Sequence, residues 1–252
     1  MVAIQKIKEE FENTPIEQRE GLFSRYQEDE RKGVQSLLKK YRKAEKELAS
    51  ERARLEEMRI FERKYSAYSY ICGIDEAGRG PLAGPVVAGA CILPKDAEIL
   101  YLNDSKQVSE KKRELLYDEI TEKAIAWGVG IVSEKRIDEI NILEATREAM
   151  RQAVERLSVK PDLLLVDAVH IPDIRAKQVG IIKGDERSVS IAAASILAKV
   201  TRDRMMAEYD EAFPEYGFAK HKGYGSAFHR EKIMELGPCP IHRMTFLKNI
   251  LQ

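Results

Sequence analysis

Two patterns of hydrophobic and polar residues divide the chain near residue 67. Before that point, apolar residues recur at helical spacing, and glycine and proline are scarce. From Val34 onward they follow a seven-residue repeat, with Val34, Tyr41 and Leu55 on one seam. A seam of this kind predicts a long helix that packs on a partner helix and ends near Phe61.

Two shorter helices are predicted before this long one. Ile4, Ile7 and Phe11 lie at the spacing of an amphipathic helix. The sequence Thr-Pro-Ile-Glu at 14–17 combines an N-cap residue, a proline at the first helical position and a glutamate three residues after the cap. This capping box predicts that a second helix begins there. Residues 1–66 are therefore expected to form an all-helical N-terminal extension.

After residue 67 the apolar residues come in short runs of strand length, separated by glycine, proline and polar turns. The first two runs flank a glycine-rich turn, and the later runs alternate with helical stretches. This order predicts an α/β fold with a mixed five-stranded sheet that helices cover on both faces. The predicted strands are Ile71 to Ile74, Pro85 to Leu93, Trp127 to Ser133, Leu163 to Val166 and Ala176 to Ile182, and the predicted helices run from about Ser109 to Ala126, from Asn141 to Leu157 and through 191–200.

Charge is balanced over the whole chain, with 42 basic and 42 acidic residues, so any surface that binds nucleic acid must be local. The predicted long helix is basic between Arg31 and Lys46. It is either an arm that touches phosphates or the solvated face of a helical hairpin. A second basic region follows Asp185 and is expected to track phosphates; it contains Lys199, Arg202, Arg204, Lys220, His221, Lys222, His229, Arg230 and Lys232.

Three scattered cysteines predict no disulfide framework. The charged start of the chain is unlike a signal peptide. The longest apolar run, Ile191 to Ala198, is far shorter than the roughly 20 residues that cross a bilayer. We therefore expect a cytoplasmic protein that contacts no membrane.

The turn between the first two strands carries the candidate chemistry. Asp75 and Glu76 end the first strand, and Gly78-Arg79-Gly80 follows. Two carboxylates at a strand end suit a hard cation, and an arginine between glycines suits a sugar-phosphate backbone. The alternative for the residues alone is a hairpin corner whose acids are solvated.

The segment from Ile71 to Gly89 resembles the signature of type 2 ribonuclease H, ribonuclease HII. Further segments match in the family's order over roughly residues 70–245. They are Leu102-Asn103-Asp104-Ser105-Lys106, Leu163-Leu164-Leu165-Val166-Asp167, Ile182-Lys183-Gly184-Asp185, Ile191 through Asp203, and His221-Lys222-Gly223-Tyr224-Gly225. The resemblance implies a ribonuclease H-like catalytic domain over 67–252, with a small helical C-terminal portion from about residue 213.

The resemblance also implies a set of catalytic carboxylates. Asp75, Glu76, Asp167 and Asp185 match acidic metal-site positions of the family, and each lies at or just past the end of a predicted strand. Mg²⁺ takes few carboxylates per ion, so four acids are enough for two Mg²⁺ or Mn²⁺ ions.

Residues that bind nucleic acid follow from the same resemblance. Gly78, Arg79 and Gly80 would read the ribonucleotide 2′-hydroxyl, which distinguishes RNA from DNA. Lys106 would contact the backbone, and Tyr224 would stack on the sugar of the next deoxynucleotide. Ser188 and Lys222 complete the expected set.

The predicted function is an endoribonuclease that cuts the RNA strand of RNA–DNA hybrids, including single ribonucleotides in duplex DNA. It leaves 3′-hydroxyl and 5′-phosphate ends, and the resemblance implies roles in ribonucleotide removal and RNA primer removal. We expect it to act as a monomer on a hybrid or on ribonucleotide-containing DNA. The alternatives are a type 3 ribonuclease H and a non-catalytic protein that binds hybrids. The Gly78-Arg79-Gly80 corner disfavours the first and the four acids disfavour the second.

Overall fold

The computed structural model of the chain describes residues 2–251. They form two compact units, which meet in sequence between Glu56 and Glu57. None of the helices within the described residues is long and apolar enough to cross a membrane.

Helices alone make up the first unit. They are α1 (Ile4–Asn13), α2 (Glu20–Tyr26) and most of α3 (Lys32–Met58), with a 3-10 turn at Ile16–Gln18. Ile7, Phe11 and Val34 are fully buried in its core, and the Phe11 ring stacks on Tyr41 at 4.7 Å between centroids. The apolar spacing thus predicted both α1 and α3 correctly.

The predicted capping box at 14–17 is wrong. Thr14 follows the last residue of α1, and its hydroxyl donates to the Glu10 carbonyl at 2.6 Å. That bond satisfies one of the open carbonyl groups at the end of α1, so the side chain is not available to cap a following helix. Only a single 3-10 turn forms before α2 begins at Glu20.

A mixed five-stranded sheet forms the second unit, as predicted. The strands are β1 (Ile71–Ala77), β2 (Val86–Ile92), β3 (Ala126–Val132), β4 (Leu163–Asp167) and β5 (Lys177–Ile181). Their order is β3-β2-β1-β4-β5, in which β2 is antiparallel to β1 and β3, whereas β4 is parallel to β1 and β5. The central strand β1 therefore belongs to a hairpin and to a parallel pair.

The remaining helices of the second unit surround the sheet and form a small C-terminal portion. They are α4 (Ile60–Lys64), α5 (Glu110–Lys123), α6 (Glu134–Glu155), α7 (Val189–Ala212), α8 (Phe218–His221) and α9 (Ala227–Leu236), with 3-10 turns at Gly184–Glu186, Pro214–Tyr216 and Met244–Phe246. The predicted helix start at Asn141 marks a kink inside α6, where the Asn141 side chain accepts from the Leu143 and Glu144 N–H groups. The turns of α6 before Asn141 were not predicted.

Glycines let the two long helices approach the sheet from opposite faces. A Cβ atom on Gly73 would lie 2.0 Å from the Ser190 backbone, and one on Gly130 would lie 1.9 Å from the Ala149 carbonyl oxygen. Helix α7 therefore lies directly on β1 and β2, while α6 covers β2 and β3 from the other side. This packing fixes the carboxyl end of β1.

Candidate active site

The parallel pairing of β1 and β4 brings two of the candidate acids to one edge of the sheet. Ile74 is in register with Val166, so the next residues, Asp75 and Asp167, leave their strands side by side on the same face. Asp75 is only 5% exposed. The apolar runs that precede both acids therefore position them.

Asp185 reaches this edge through a 3-10 turn. The N–H of Gly184 donates to Asp167 Oδ1 at 3.0 Å, which ties the turn to the end of β4. Asp185 is buried, and its Oδ2 lies 3.7 Å from Lys106 Nζ. The structure thus brings Asp75, Asp167 and Asp185 into one acidic cluster, which Glu76 joins from the end of β1.

Burial, together with repulsion between the carboxylates, raises the pKa values in this cluster. Burial and the Glu76 charge raise the pKa of Asp75 well above its usual range. Burial also raises the pKa of Glu76, and the Asp167 charge adds to this although Arg79 opposes it. Burial and Asp104 raise the pKa of Asp185 to about 6. Each of these shifts disfavours the ionised carboxylate, so a cation at the cluster would relieve them.

The residues fit a divalent metal in their chemistry. Glu76 Oε2 is buried and has no hydrogen-bond partner, which leaves an oxygen donor free. Among residues 2–251, no three acidic, histidine or cysteine side chains converge tightly enough to enclose an ion as they stand. Carboxylate oxygens are the ligands that Mg²⁺ and Mn²⁺ prefer.

Asp104 belongs to the same cluster, although sequence reasoning did not single it out. It is buried, it accepts from the Lys106 N–H at 2.9 Å, and its Oδ1 lies 3.6 Å from Lys106 Nζ. Burial works against the charge of Lys106, but Asp104 and Asp185 outweigh it and raise the pKa of the ammonium group. The only signal in the sequence was the position of Asp104 two residues before Lys106.

The glycine corner lies next to the acids. Gly78 has φ +94°, and a Cβ there would lie 2.1 Å from Arg202 Nε, so no other residue fits. Arg79 turns back, and its Nη1 donates to Glu76 Oε1 at 3.2 Å. A Cβ on Gly80 would lie 3.8 Å from the ring of Tyr224, which is 48% exposed. The corner and the Tyr224 ring thus form one surface beside the acidic cluster.

Two protein-family models match the chain. The model of ribonuclease HII covers residues 72–249, and the model of the ribonuclease HII N-terminal domain covers residues 3–66. The chain belongs to the ribonuclease HII family. It is therefore a metal-dependent ribonuclease, and the family cleaves RNA in RNA–DNA hybrids.

Known relatives resemble the chain over most of its length. Ribonuclease HII of Lachnoclostridium phytofermentans is 63% identical over 230 residues, which are 91% of each chain. Ribonuclease HII of Clostridioides difficile is 51% identical over 251 residues, 99% of this chain and 98% of the relative. Among solved structures, ribonuclease H2 of Pyrococcus horikoshii OT3 has a TM-score of 0.63 and 28% identity, covering 73% of this chain and 97% of its own.

Two other residues expected at the nucleic-acid surface of the chain lie in different surroundings. Lys222 Nζ is 3.5 Å from Glu110 Oε1, and the lysine side chain is largely covered. Ser188 is fully buried and caps α7, because its hydroxyl accepts from the Ile191 N–H and donates to Glu62 Oε1 at 2.6 Å. As the chain stands, Ser188 Oγ does not reach solvent, and a contact with substrate requires Glu62 to move.

The expected phosphate-tracking surface needs correction at Arg202 and His229. Arg202 is 1% exposed and donates to the carbonyl groups of Ala83, Pro85 and Lys222. His229 is fully buried. Neither side chain can meet a phosphate, because each is enclosed by the protein and engaged with its backbone or with another buried ring.

Proposed function

We propose that this protein needs only a single ribonucleotide to recognise its substrate. It therefore cuts at ribonucleotides embedded in duplex DNA as well as in longer RNA–DNA hybrids. The observation that supports this most is that the acids proposed to bind metal and the corner proposed to read the sugar follow one another in a single turn. Asp75 and Glu76 lie at the end of β1, and the corner from Gly78 to Gly80 follows, with Gly80 beside the ring of Tyr224. A nucleotide whose sugar contacts the corner has its phosphate beside the acidic cluster.

Asp75, Glu76, Asp167 and Asp185 are proposed to hold two Mg²⁺ or Mn²⁺ ions. When bound, such ions supply an activated water and stabilise the leaving oxygen. The orphaned Glu76 Oε2 and the raised pKa values of Asp75 and Asp185 support this role, because burial leaves the charge of these carboxylates only partly compensated. Hydrolysis of this type leaves 3′-hydroxyl and 5′-phosphate ends.

The surrounding side chains are proposed to orient the substrate. Arg79 and Lys106 are exposed cations at the rim of the acidic cluster, where they can exchange a carboxylate partner for a phosphate. Tyr224 offers an exposed ring beside Gly80 for stacking on a sugar. The same role is proposed for Lys222 and Ser188 on the family resemblance alone.

At the level of the cell, this activity serves the removal of ribonucleotides from DNA and of RNA primers. The proposed form is a monomer, with an N-terminal helical extension over residues 1–66 and a catalytic domain over 67–252. The division between compact units at Glu56 and Glu57 leaves α4 with the catalytic side. There Glu62 accepts from the α7 cap residue Ser188.

A cleavage assay on two matched duplexes tests the function. One DNA duplex contains a single ribonucleotide, and the other has the same sequence in DNA only, both with Mg²⁺ or Mn²⁺. We expect the first to be cut beside the ribonucleotide, with 5′-phosphate and 3′-hydroxyl products, and the second to stay intact. Equal cutting of both duplexes, or of neither, would overturn the proposal.

A further inference from the structure

A buried arginine holds the substrate-reading corner from behind. Arg243 is fully buried, and each arm of its guanidinium donates to a backbone carbonyl. Nη2 donates to the Gly78 oxygen at 2.6 Å, Nη1 to the Arg79 oxygen at 3.0 Å and Nε to the Gly84 oxygen at 2.9 Å. Two of these three acceptors are successive peptide carbonyls of the corner.

The direction of those carbonyls fixes the direction of the peptide N–H groups. In a trans peptide, C=O and N–H point to opposite sides of the chain. Because the Gly78 and Arg79 carbonyls point inward to Arg243, the N–H groups of Arg79 and Gly80 point outward. Within residues 2–251, neither of these N–H groups donates to another atom, so both remain free for a ligand.

The charge of Arg243 adds to this effect. In the described part of the chain, no carboxylate lies within ion-pair distance of its guanidinium, so the peptide carbonyls take up its hydrogen bonds. Burial, with Arg202 nearby, lowers the pKa of Arg243 to about 9, which still leaves it charged at neutral pH. A cation on a peptide oxygen polarises the peptide and strengthens the N–H on its other side as a donor.

The chain around Arg243 connects the corner to the Tyr224 loop. The Arg243 N–H donates to the Leu82 carbonyl at 2.8 Å. The preceding residue, His242, lies 3.0 Å from His229 through their Nε2 atoms, and His229 Nδ1 lies 2.9 Å from the Tyr224 carbonyl. A carbonyl only accepts, so His229 donates from Nδ1 and accepts from His242. The dipeptide His242-Arg243 thereby supports both the corner from Gly78 to Gly80 and, through His229, the Tyr224 loop.

We propose that Arg243 is a positioning residue for ribonucleotide recognition, which turns the Arg79 and Gly80 N–H groups toward the 2′-oxygen of the substrate. The inference rests on the proposed function, since it requires that the corner reads that oxygen. It assigns the preference for a ribose to the backbone of the corner and the support of that backbone to a side chain more than 160 residues later in the sequence.

Arg243→Lys tests the proposal because an ammonium group keeps the charge but cannot serve three carbonyls in the geometry of the fork. The measurement is equilibrium binding, with Ca²⁺ replacing Mg²⁺, to the two matched duplexes of the cleavage assay. We expect the preference for the ribonucleotide duplex to fall about fivefold or more, the equivalent of one hydrogen bond, while affinity for the DNA duplex changes less than about twofold. An unchanged preference in a folded Arg243→Lys variant would overturn the inference.

Arg202→Lys is the control for general damage behind the turn, since Arg202 is a buried arginine that packs against Gly78 but donates to neither the Gly78 nor the Arg79 carbonyl. It should lose thermal stability to a similar degree and keep the ribonucleotide preference. Equal loss of preference in both variants would mean that any damage to the buried arginines suffices, and the specific role of Arg243 would be rejected.

If Arg243→Lys does not fold, the wild-type protein still provides a test. Backbone amide NMR signals of Arg79 and Gly80 should shift more with the ribonucleotide duplex than with the DNA duplex, because only the former carries the 2′-oxygen. Equal shifts would reject the outward-pointing donors. A wild-type protein that neither prefers nor cuts the ribonucleotide duplex would instead reject the proposed function itself.

Discussion

An acidic cluster lies on one side of the turn after β1, and a pair of buried arginines lies on the other side. The two groups differ in how their charge is compensated. The acidic cluster at the strand end has an orphaned carboxylate oxygen at Glu76 and raised pKa values. The basic pair behind the turn, Arg202 and Arg243, is more deeply buried, yet its six hydrogen bonds to backbone carbonyls satisfy the guanidinium groups.

This difference distinguishes the acidic cluster, as a site that binds a ligand, from the arginines that support the turn beside it. A buried charge is costly unless it is paired or hydrogen-bonded. The arginines meet that condition within the chain, so they act as fixed structure in the absence of any ligand. The acids meet it only in part, through Arg79 and Lys106 at the exposed rim, so a cation bound from outside would stabilise their arrangement. Substitutions on the two sides should therefore have opposite effects on stability and different effects on catalysis.

Asp75→Asn, in the acidic cluster, should have the largest effect on cleavage. Loss of this proposed metal-ligand carboxylate should lower the cleavage rate by more than about 100-fold, since even groups that only support a ligand contribute 10- to 100-fold. In the metal-free protein at pH 7.5 the same change should raise the melting temperature, because a neutral amide replaces a carboxylate whose pKa is raised by burial and by Glu76. Rate measurements and thermal unfolding check the two effects.

Asp173→Asn is a suitable control because Asp173 is an exposed carboxylate on the surface. It should change neither rate nor melting temperature appreciably. Turnover close to wild type in Asp75→Asn would reject the metal assignment, and a lower melting temperature would show that the carboxylate stabilises the fold.

The pH dependence of stability should sharpen the comparison. The pKa of Asp185 in the folded protein is about 6, above the usual value of 3.8, so its contribution to stability is full below about pH 4 and is lost as the pH rises through 6. His229 acts in the opposite direction, because burial lowers its pKa to about 4 and stability falls as it is protonated in acid. Arg202 and Arg243, with pKa values of about 10 and about 9, do not titrate in this range.

The contribution of Asp185 is therefore measured as a difference. Melting temperatures of wild type and Asp185→Asn, both free of metal, are compared from pH 5 to pH 8. We expect the melting temperature of the variant to rise relative to that of the wild type as the pH increases toward 7. Above pH 7 the difference in melting temperature should stay constant. Added Mg²⁺ or Mn²⁺ should narrow the gap by stabilising the wild type. A gap that does not depend on pH would show that Asp185 does not titrate between pH 5 and pH 8 in the folded protein.

The sequence predicts the acidic side well because strand patterns and site residues coincide there. Apolar runs that end in Asp75 and Asp167 predict strands, and parallel strands that end in acids place those acids at one edge. The alanines of α7 predict its close contact with the sheet. The failures lie where hydroxyl groups or kinks decide the structure, as at Thr14, whose partner is a carbonyl of the preceding helix.

The basic side could not be predicted in the same way. Arg202 lies in a stretch rich in lysine and arginine, and it resembles a surface residue until the fold encloses it. The partners of Arg243 are backbone carbonyls, which have no identity in a sequence. Asp104 was hidden for a related reason, since an acid within a polar loop has no pattern that distinguishes burial from exposure.

A third group of charges, on α3 of the first unit, extends the comparison and gives the smallest expected effect. Lys32, Lys39, Lys43 and Lys46 are exposed and fall within about 60° of one another around the helix. Of these four, only Lys43 has an ion-pair partner, Glu47 at 3.7 Å, and both side chains are mostly exposed. Unlike the buried arginines, these lysines present positive charge to solvent, so they could serve a phosphate backbone.

Replacing Lys39, Lys43 and Lys46 together by glutamine should weaken binding of an RNA–DNA hybrid a few-fold near physiological salt. It should also reduce the slope of log affinity against log salt by up to about 3, since each phosphate contact contributes roughly 1. The cleavage rate at saturating substrate should not change. Lys6→Gln, at an exposed lysine of α1 outside this stripe, should leave the slope unaltered. An unchanged slope in the triple variant would show that the stripe is a solvated helix face and not a contact with the substrate.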